Sequence, residues 1–245
     1  MERSPGPSRP PSWRLVPKAS GGTRRLARLA REDDARFRSL VARVTPFVER
    51  ELSERVVANR AARGAHPATL APWRPARRRW RRSIGTVATS GAAIVTDVAE
   101  CYASIAPEAV GRALARAGVD RATVDALVRW LRELAAVGVE GLPIGPEPSA
   151  ILANAVLGVG DRSLDGAGVR WFRWVDDWVI VADGMPAAER ALSALARGLE
   201  IEGLTLREDK THRFPDARDL VRLGTPARSV ALGGRAARIE GDGVA

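Results

Sequence analysis

The sequence predicts an α+β fold, an antiparallel sheet packed by helices, and three features predict it. Ala92 to Val98 is a short, nearly continuous apolar run suited to a buried strand, with Asp97 as its one charged residue. Val169 to Trp174 and Trp178 to Ala182 are two more strand-like runs, separated only by Val175, Asp176 and Asp177, and read as a hairpin with carboxylates at its tip. Around these runs the apolar residues switch to helical spacing without an internal repeat, which favours α+β over a doubly wound parallel sheet.

Taken in order, residues 1–12 carry Pro5, Pro7, Pro10 and Pro11 and read as a disordered or extended lead. Phe37, Leu40, Val41, Val44, Phe47 and Val48 mark a helix within residues 33–62 that is interrupted near Pro46. The run to Ser83 reads as a basic loop. After the first strand, Pro107, Glu108 and Gly118 frame a helix, and Val124, Leu127, Val128, Leu131 and Leu134 give a second helical face that ends at Gly138. Gly141 to Gly145 breaks the pattern, and Ala150 to Leu157 is apolar and helical. Pro186 opens a helix carrying Leu192, Leu195, Ala196 and Leu199, and Gly203 to Leu206 reads as another short strand.

The 245 residues are 45% hydrophobic and 28% charged, ordinary usage for a folded chain. No apolar run approaches the roughly 18 residues of a membrane span. Met1 to Gly22 lacks the apolar core of a signal peptide, so a cytoplasmic protein without membrane contact is expected. Cys101 is the only cysteine, and His66 and His212 are the only histidines, which excludes an internal disulfide and a Cys/His zinc cage.

The net charge of +10 is unevenly placed. Residues 1–82 hold 21 Lys and Arg against 7 Asp and Glu, whereas the remainder is slightly acidic. The densest segment, Trp73 to Arg82, interleaves Arg74, Arg77, Arg78, Arg79, Arg81 and Arg82 with Trp73 and Trp80. Arginine forks bind phosphate and indoles stack on bases, although a solvated basic loop or a patch facing acidic protein has the same composition. Of the 39 basic residues only Lys18 and Lys210 are lysines, and Tyr102 is the only tyrosine. Positions that keep Lys or Tyr against so strong a bias are candidates for needing that chemistry.

The carboxylates carry the chemical signal. Buried strands reject charge unless something compensates it. If the strand ending in Asp97 pairs with the hairpin bearing Asp176 and Asp177, a pair of divalent cations can compensate all three, as in two-metal phosphoryl transfer. Oxygen ligands favour Mg²⁺, with Mn²⁺ as the substitute. A lone Asp-Asp pair also fits a solvated turn.

The segment Phe172-Arg173-Trp174-Val175-Asp176-Asp177-Trp178-Val179-Ile180 resembles motif C of reverse transcriptases, an aromatic-x-Asp-Asp between two strands. Asp97-Val98-Ala99-Glu100-Cys101-Tyr102-Ala103-Ser104-Ile105 is similar to motif A, with an aromatic five residues after its aspartate. Gly141-Leu142-Pro143-Ile144-Gly145-Pro146-Glu147-Pro148-Ser149, continuing to Asn154, is similar to motif B, and Gly203 through Lys210 to Thr211 to motif D. Lys18 followed by Gly21-Gly22-Thr23-Arg24 resembles the fingers segment of bacterial members, so the resemblance runs from about residue 14 to about residue 213.

The resemblance implies a right-hand polymerase palm over residues 92–213, a small basic fingers region over 13–91, and a short hairpin or tail over 214–245 in place of a helical thumb. It implies an RNA-directed DNA polymerase that adds dNTPs to a 3′-hydroxyl on an RNA template and nucleic-acid primer, with a protein partner as one source of thumb function. Two Mg²⁺ ions would be held by Asp97, Asp176, Asp177 and the Val98 carbonyl. Tyr102 would be the steric gate against a ribose 2′-hydroxyl, and Lys210 would protonate the leaving pyrophosphate, which an ammonium can do and a guanidinium effectively cannot. Lys18 and Arg24 would clamp the triphosphate. Gly145, Pro146 and Ser149 would shape the floor under base and template.

Two departures from the family pattern stand out, and the first of them points to a branch. Retroviral members usually place glutamine where this chain has Ile144, and tyrosine where it has Trp174. An apolar residue at the first position is familiar in abortive-infection and defence-associated relatives, so a retron-like, group II-like or defence-associated bacterial enzyme is expected. The alternative is a non-catalytic nucleic-acid-binding palm within a larger assembly.

Overall fold

A computed structural model describes residues 9–17, 22–62, 64 and 68–222. Lys18, residues 1–8 of the proline-rich lead and residues 223–245 of the tail lie outside the described residues. Two strands, β1 (Ser12–Pro17) and β2 (Thr23–Arg28), form an antiparallel hairpin. Helices α1 (Arg31–Glu51) and α2 (Trp73–Val87) follow, then β3 (Ala92–Asp97), the short α3 (Cys101–Ser104), α4 (Pro107–Arg116), α5 (Arg121–Ala136) and α6 (Glu147–Gly166). The hairpin of β4 (Arg170–Trp174) and β5 (Asp177–Ala182) comes next. Helix α7 (Met185–Glu200), a 3₁₀ turn at Glu208–Lys210, β6 (His212–Phe214) and α8 (Asp219–Arg222) complete the described chain.

The central sheet has the order β4-β5-β3-β6, and all its pairings are antiparallel. Successive side chains on a strand point to opposite faces, and here both faces are covered. Ile94, Val98, Trp171, Trp178 and Ile180 join α1 and α3–α7 in the larger apolar cluster, where the Phe37 and Trp130 rings stack at 4.3 Å. Ala93, Val95, Trp174, Val179 and Val181 face a smaller cluster closed by Trp80, Ile84 and Ala88 and by Ala217 and Leu220. The expected α+β architecture, antiparallel sheet included, is therefore present. No helix among the described residues is long and apolar enough to cross a membrane.

Four local expectations are corrected. Pro46 does not interrupt α1, which runs unbroken over 21 residues. A proline inside a helix costs about 3 kcal/mol, and burying a Val or Phe returns about 1.5–3 kcal/mol each, so the buried face of Phe37, Val41, Val44 and Val48 outweighs it. Trp73 to Ser83 is not a loop but most of α2, because Ala76, Trp80, Ile84 and Ala88 recur every four residues and dock on the sheet. The strand expected at Gly203 to Leu206 is a helix stop: Gly203 at φ +77° ends α7, and the Leu204 amide reaches back to the Leu199 carbonyl. Only Leu206 bridges Val98, and β6 pairs with β3 further on. The lead also ends before residue 12, since Ser12 opens β1.

Candidate active site

Register brings the three aspartates together. Asp97, the last residue of β3, lies directly opposite Asp177, the first of β5. Asp176 occupies the two-residue turn between β4 and β5 beside Val175, whose φ of +57° is rare for a β-branched residue. Such backbone costs about 1–3 kcal/mol and persists only where the surroundings over-determine it.

The surroundings are a buried polar network that the sequence reading did not assign. Arg173 has a fully buried side chain on the α6 side of β4. Its Nε and Nη2 donate to Asp161 at 2.9 and 2.7 Å, and its Nη1 donates to Asn154 Oδ1 at 2.7 Å and to the Val175 carbonyl at 2.8 Å. Asp161 also accepts from Trp178 Nε1 at 3.0 Å, and Asn154 donates onward to the Asn59 carbonyl at 2.9 Å. The left-handed turn that presents Asp176 is thus tied to α6 by one guanidinium. The available signal was an arginine at an inward position of a buried strand, which needs a carboxylate partner.

Lys210 is delivered from the other edge of the sheet. Its Nζ lies 2.7 Å from Asp97 Oδ2. Thr211, the next residue, donates to the Arg207 carbonyl and therefore accepts from Thr96 at 2.8 Å, a buried hydroxyl pair that fixes the 3₁₀ turn against β3. On the same edge the Arg207 amide donates to the Asp97 carbonyl and the Ala99 amide to the Thr205 carbonyl. By the alternation of a strand, this turns the Val98 carbonyl toward β5, on the side of the β4–β5 turn that carries Asp176.

The electrostatics are those of crowded acids. Burial, together with the neighbouring carboxylates, pushes the carboxyl of Asp177 well above the usual range, and burial together with Asp97 raises Asp176. The charges of Arg24 and Lys210 oppose the shift at Asp176. Asp97 Oδ1 is buried and has no hydrogen-bond partner. An orphaned carboxylate oxygen beside two destabilised carboxyls, with a carbonyl on the same side, fits a divalent cation. Among the described residues no three Asp, Glu, His or Cys side chains are grouped so as to hold a metal ion by themselves, so an ion here would need further oxygens. Mg²⁺ suits such an open set, because it keeps several waters and takes substrate phosphate oxygens.

Tyr102 stands on α3, next to this cluster. Burial, with Cys101 and Asp176 nearby, raises its hydroxyl pKa, and Arg24 lowers it. Burial likewise pushes the Cys101 thiol well up, so Cys101 is packing rather than a nucleophile. The Tyr102 carbonyl accepts from the Leu142 amide at 2.8 Å, which ties α3 to the loop before α6. That loop passes so close that a Cβ on Gly141, at φ +60°, would sit 2.3 Å from the Tyr102 carbonyl oxygen.

The hairpin of β1 and β2 meets the same loop. The Ala27 amide donates to the Ile144 carbonyl at 2.7 Å, and Gly145, at φ +132°, leaves room for the Ala27 carbonyl, which a Cβ there would approach to 2.9 Å. Gly145→Ala is expected to cost about 1–3 kcal/mol and to loosen β2 from the loop. Faster hydrogen exchange at the Ala27 amide would report it, and an unchanged rate would count against this contact. Pro146 precedes the first residue of α6, and Ser149 in its first turn is fully buried with an unpartnered Oγ. Asp97, Asp176, Asp177, Lys210 and Tyr102 thus share one end of the sheet, with Arg24 within electrostatic reach; Gly145, Pro146 and Ser149 form the loop and helix start beside it.

An antiparallel sheet with aspartates on adjacent strands and a lysine against one of them is the arrangement expected of a polymerase palm. The family model for reverse transcriptase (RNA-dependent DNA polymerase) matches residues 16–226, and the chain belongs to that family. Its fold is similar to telomerase from Candida albicans, solved with a TWJ fragment of telomeric RNA, at TM-score 0.54 and 14% identity over 83% of this chain and 41% of that one. It is also similar to apo telomerase from Candida tropicalis truncated from its C-terminal domain, at TM-score 0.53 and 13% identity over 83% of this chain and 49% of that one. The chain spans under half the length of either structure. No curated protein matches its sequence.

Proposed function

We propose that the chain is the catalytic palm and fingers of an RNA-directed DNA polymerase, acting by two-metal nucleotidyl transfer from dNTPs to a primer 3′-hydroxyl. The observation that carries this reading is the convergence of Asp97, Asp177 and the Asp176 turn across paired strands, with Lys210 on Asp97. Family membership supports nucleic-acid template and primer as partners and a divalent ion as cofactor; the oxygen-only donor set supports two Mg²⁺, replaceable by Mn²⁺, on Asp97, Asp176, Asp177 and the Val98 carbonyl. Bound ions would polarise the phosphoryl oxygens and neutralise charge developing on them.

The remaining roles belong to this chain's own groups. Tyr102, with Asp176 nearby and its carbonyl bonded to the Leu142 amide, would exclude a ribose 2′-hydroxyl. Arg24, and Lys18 before it, would supply positive charge for the triphosphate from the fingers, residues 13–91, to the palm, residues 92–213. Lys210 holds a proton at Nζ for the departing pyrophosphate. Lys210→Arg keeps the charge but not a readily transferred proton, and is expected to lower the rate of incorporation about 10²- to 10⁴-fold with little change in nucleic-acid affinity. Single-turnover rates beside binding isotherms check this, and an unchanged rate would remove Lys210 from the chemistry.

Ile144 supports a bacterial retron-like, group II-like or defence-associated branch, for which a cytoplasmic role in phage defence is proposed. Branch and template use are tested together by supplying dNTPs with primed RNA or with no template, in Mg²⁺ or Mn²⁺. Primed, RNA-dependent extension is expected; unprimed synthesis would place the chain with abortive-infection relatives. A second reading, a non-catalytic binding palm, draws on the absence, among the described residues, of three such side chains grouped to hold a metal ion by themselves. It predicts nucleic-acid binding with no incorporation under any of these conditions.

A further inference from the structure

We propose that the outer face of α2 is a phosphate track, holding the backbone of the nucleic-acid strand that enters or leaves the active site. The proposal rests on the polymerase reading only for the presence of that strand. Helix α2 carries six arginines and no Asp or Glu. Its apolar residues Ala76, Trp80 and Ile84 seat it on the sheet, and Arg74, Arg78 and Arg82, each two positions away from one of these, occupy the opposite face. All three are exposed, as is Arg81, and they step along the axis by about 6 Å.

A helix face needing only solubility has no use for this composition. Like charges at i,i+4 destabilise a helix by about 0.2–0.5 kcal/mol per pair, and Arg74/Arg78, Arg77/Arg81 and Arg78/Arg82 are such pairs. Acidic relief is nearly lacking among the described residues. Only Arg79 approaches an acid, Glu54, at 3.9 Å. The acids beside neighbouring α8, Asp216 and Asp219, are engaged by Arg218 and Arg222. Arg74 and Arg77 lie over the Trp73 ring at 5.9 and 6.0 Å, which orients their guanidiniums without neutralising them. The charge complement of this face is a regular polyanion.

Its placement supplies the connection to the site. Trp80 packs on Trp174, at the carboxylate end of β4, with ring centroids 5.9 Å apart. At the other end of β4, Arg170 donates to the Val87 carbonyl at 3.0 Å. The C-terminal half of α2 therefore lies along β4, and the arginine-bearing half, from Arg74 to Arg82, lies at and beyond the end of β4 that carries the Asp176 turn. From Arg74 to Arg82 the face is about 12 Å long, room for about four nucleotides at 3.4 Å per phosphate.

The test is binding of fluorescein-labelled 20-nucleotide oligo(U) and oligo(dT) to the full chain, without dNTP or divalent metal, across a salt series. Arg74→Gln/Arg78→Gln/Arg82→Gln is compared with wild type and with a charge-matched control, Arg121→Gln/Arg129→Gln/Arg190→Gln, on exposed positions of α5 and α7. The track variant is expected to lose at least tenfold in affinity at low salt, and about 2 units of the slope of log K against log salt, since each lost contact is worth about 0.7. The loss should be the same on RNA and DNA, the control should bind like wild type, and the melting temperature should not fall. Unchanged binding by the track variant, an equal loss in the control, or a loss confined to RNA would overturn the proposal. Because no nucleotide is incorporated in this assay, failure of the polymerase reading would leave its result standing.

Discussion

Replacing Arg173 by methionine is expected to lower stability by about 3–5 kcal/mol and to stop incorporation. The substitution removes every donor that Arg173 gives to Asp161 and leaves that carboxylate buried with only Trp178 Nε1 to satisfy it. At about 2–4 °C per kcal/mol for a chain of this length, the melt should fall by about 10 °C. Stability and activity are separable here. Arg173→Met/Asp161→Leu removes both buried charges, so most of the stability should return, as for other buried ion pairs replaced by apolar groups. Activity should not return, because the Val175 carbonyl has still lost its donor and the left-handed turn under Asp176 is no longer held. Melting curves and incorporation rates on the same preparations check both halves. A double variant that recovers its rate together with its melt would reduce Arg173 to a packing role.

Asp97→Asn is expected to have the opposite profile, a collapse in rate with no loss of fold. Asparagine keeps an oxygen for Lys210 Nζ while removing one of three mutually repelling carboxylates, so the melt should stay or rise. Loss of a carboxylate ligand worth several kcal/mol of transition-state charge stabilisation should cost at least about 10³-fold in incorporation. Mn²⁺ titration followed by electron paramagnetic resonance should show weakened binding in the same protein. A variant that binds Mn²⁺ like wild type would mean that the buried, unpartnered Oδ1 faces something other than a cation.

The parts of this site that were legible in the sequence are those governed by short-range patterns. Apolar runs located β3 and both strands of the hairpin, and the Asp-Asp between them could only be a turn or the start of a strand. Pairing of β3 with β5, the long-range event that makes three aspartates a cluster, entered the sequence reading only as a condition and through the resemblance to motifs A and C, because no local pattern fixes which strands pair. The errors have equally local causes. The i,i+4 stripe of Ala76, Trp80, Ile84 and Ala88 was present in the sequence, but six arginines masked it. At Gly203-Leu204 the apolar residue after a glycine was a helix stop rather than a strand, a distinction decided by the backbone bond from Leu204 to Leu199. The Arg173, Asp161 and Asn154 network was the least legible part, because its members are 12 and 19 residues apart and meet only when α6 crosses beneath β4.

The central claim is that the aspartates on β3 and the β4–β5 turn run metal-dependent nucleotidyl transfer. Its most direct test is dNTP incorporation on an oligonucleotide-primed RNA template by wild type and Asp176→Asn, each confirmed folded by a cooperative melt. Wild type should extend the primer in Mg²⁺ or Mn²⁺ and stop when the metal is chelated, and Asp176→Asn should fall by at least about 10³-fold. Extension by Asp176→Asn at the wild-type rate, or no incorporation by folded wild type on any primed or unprimed substrate, would contradict it.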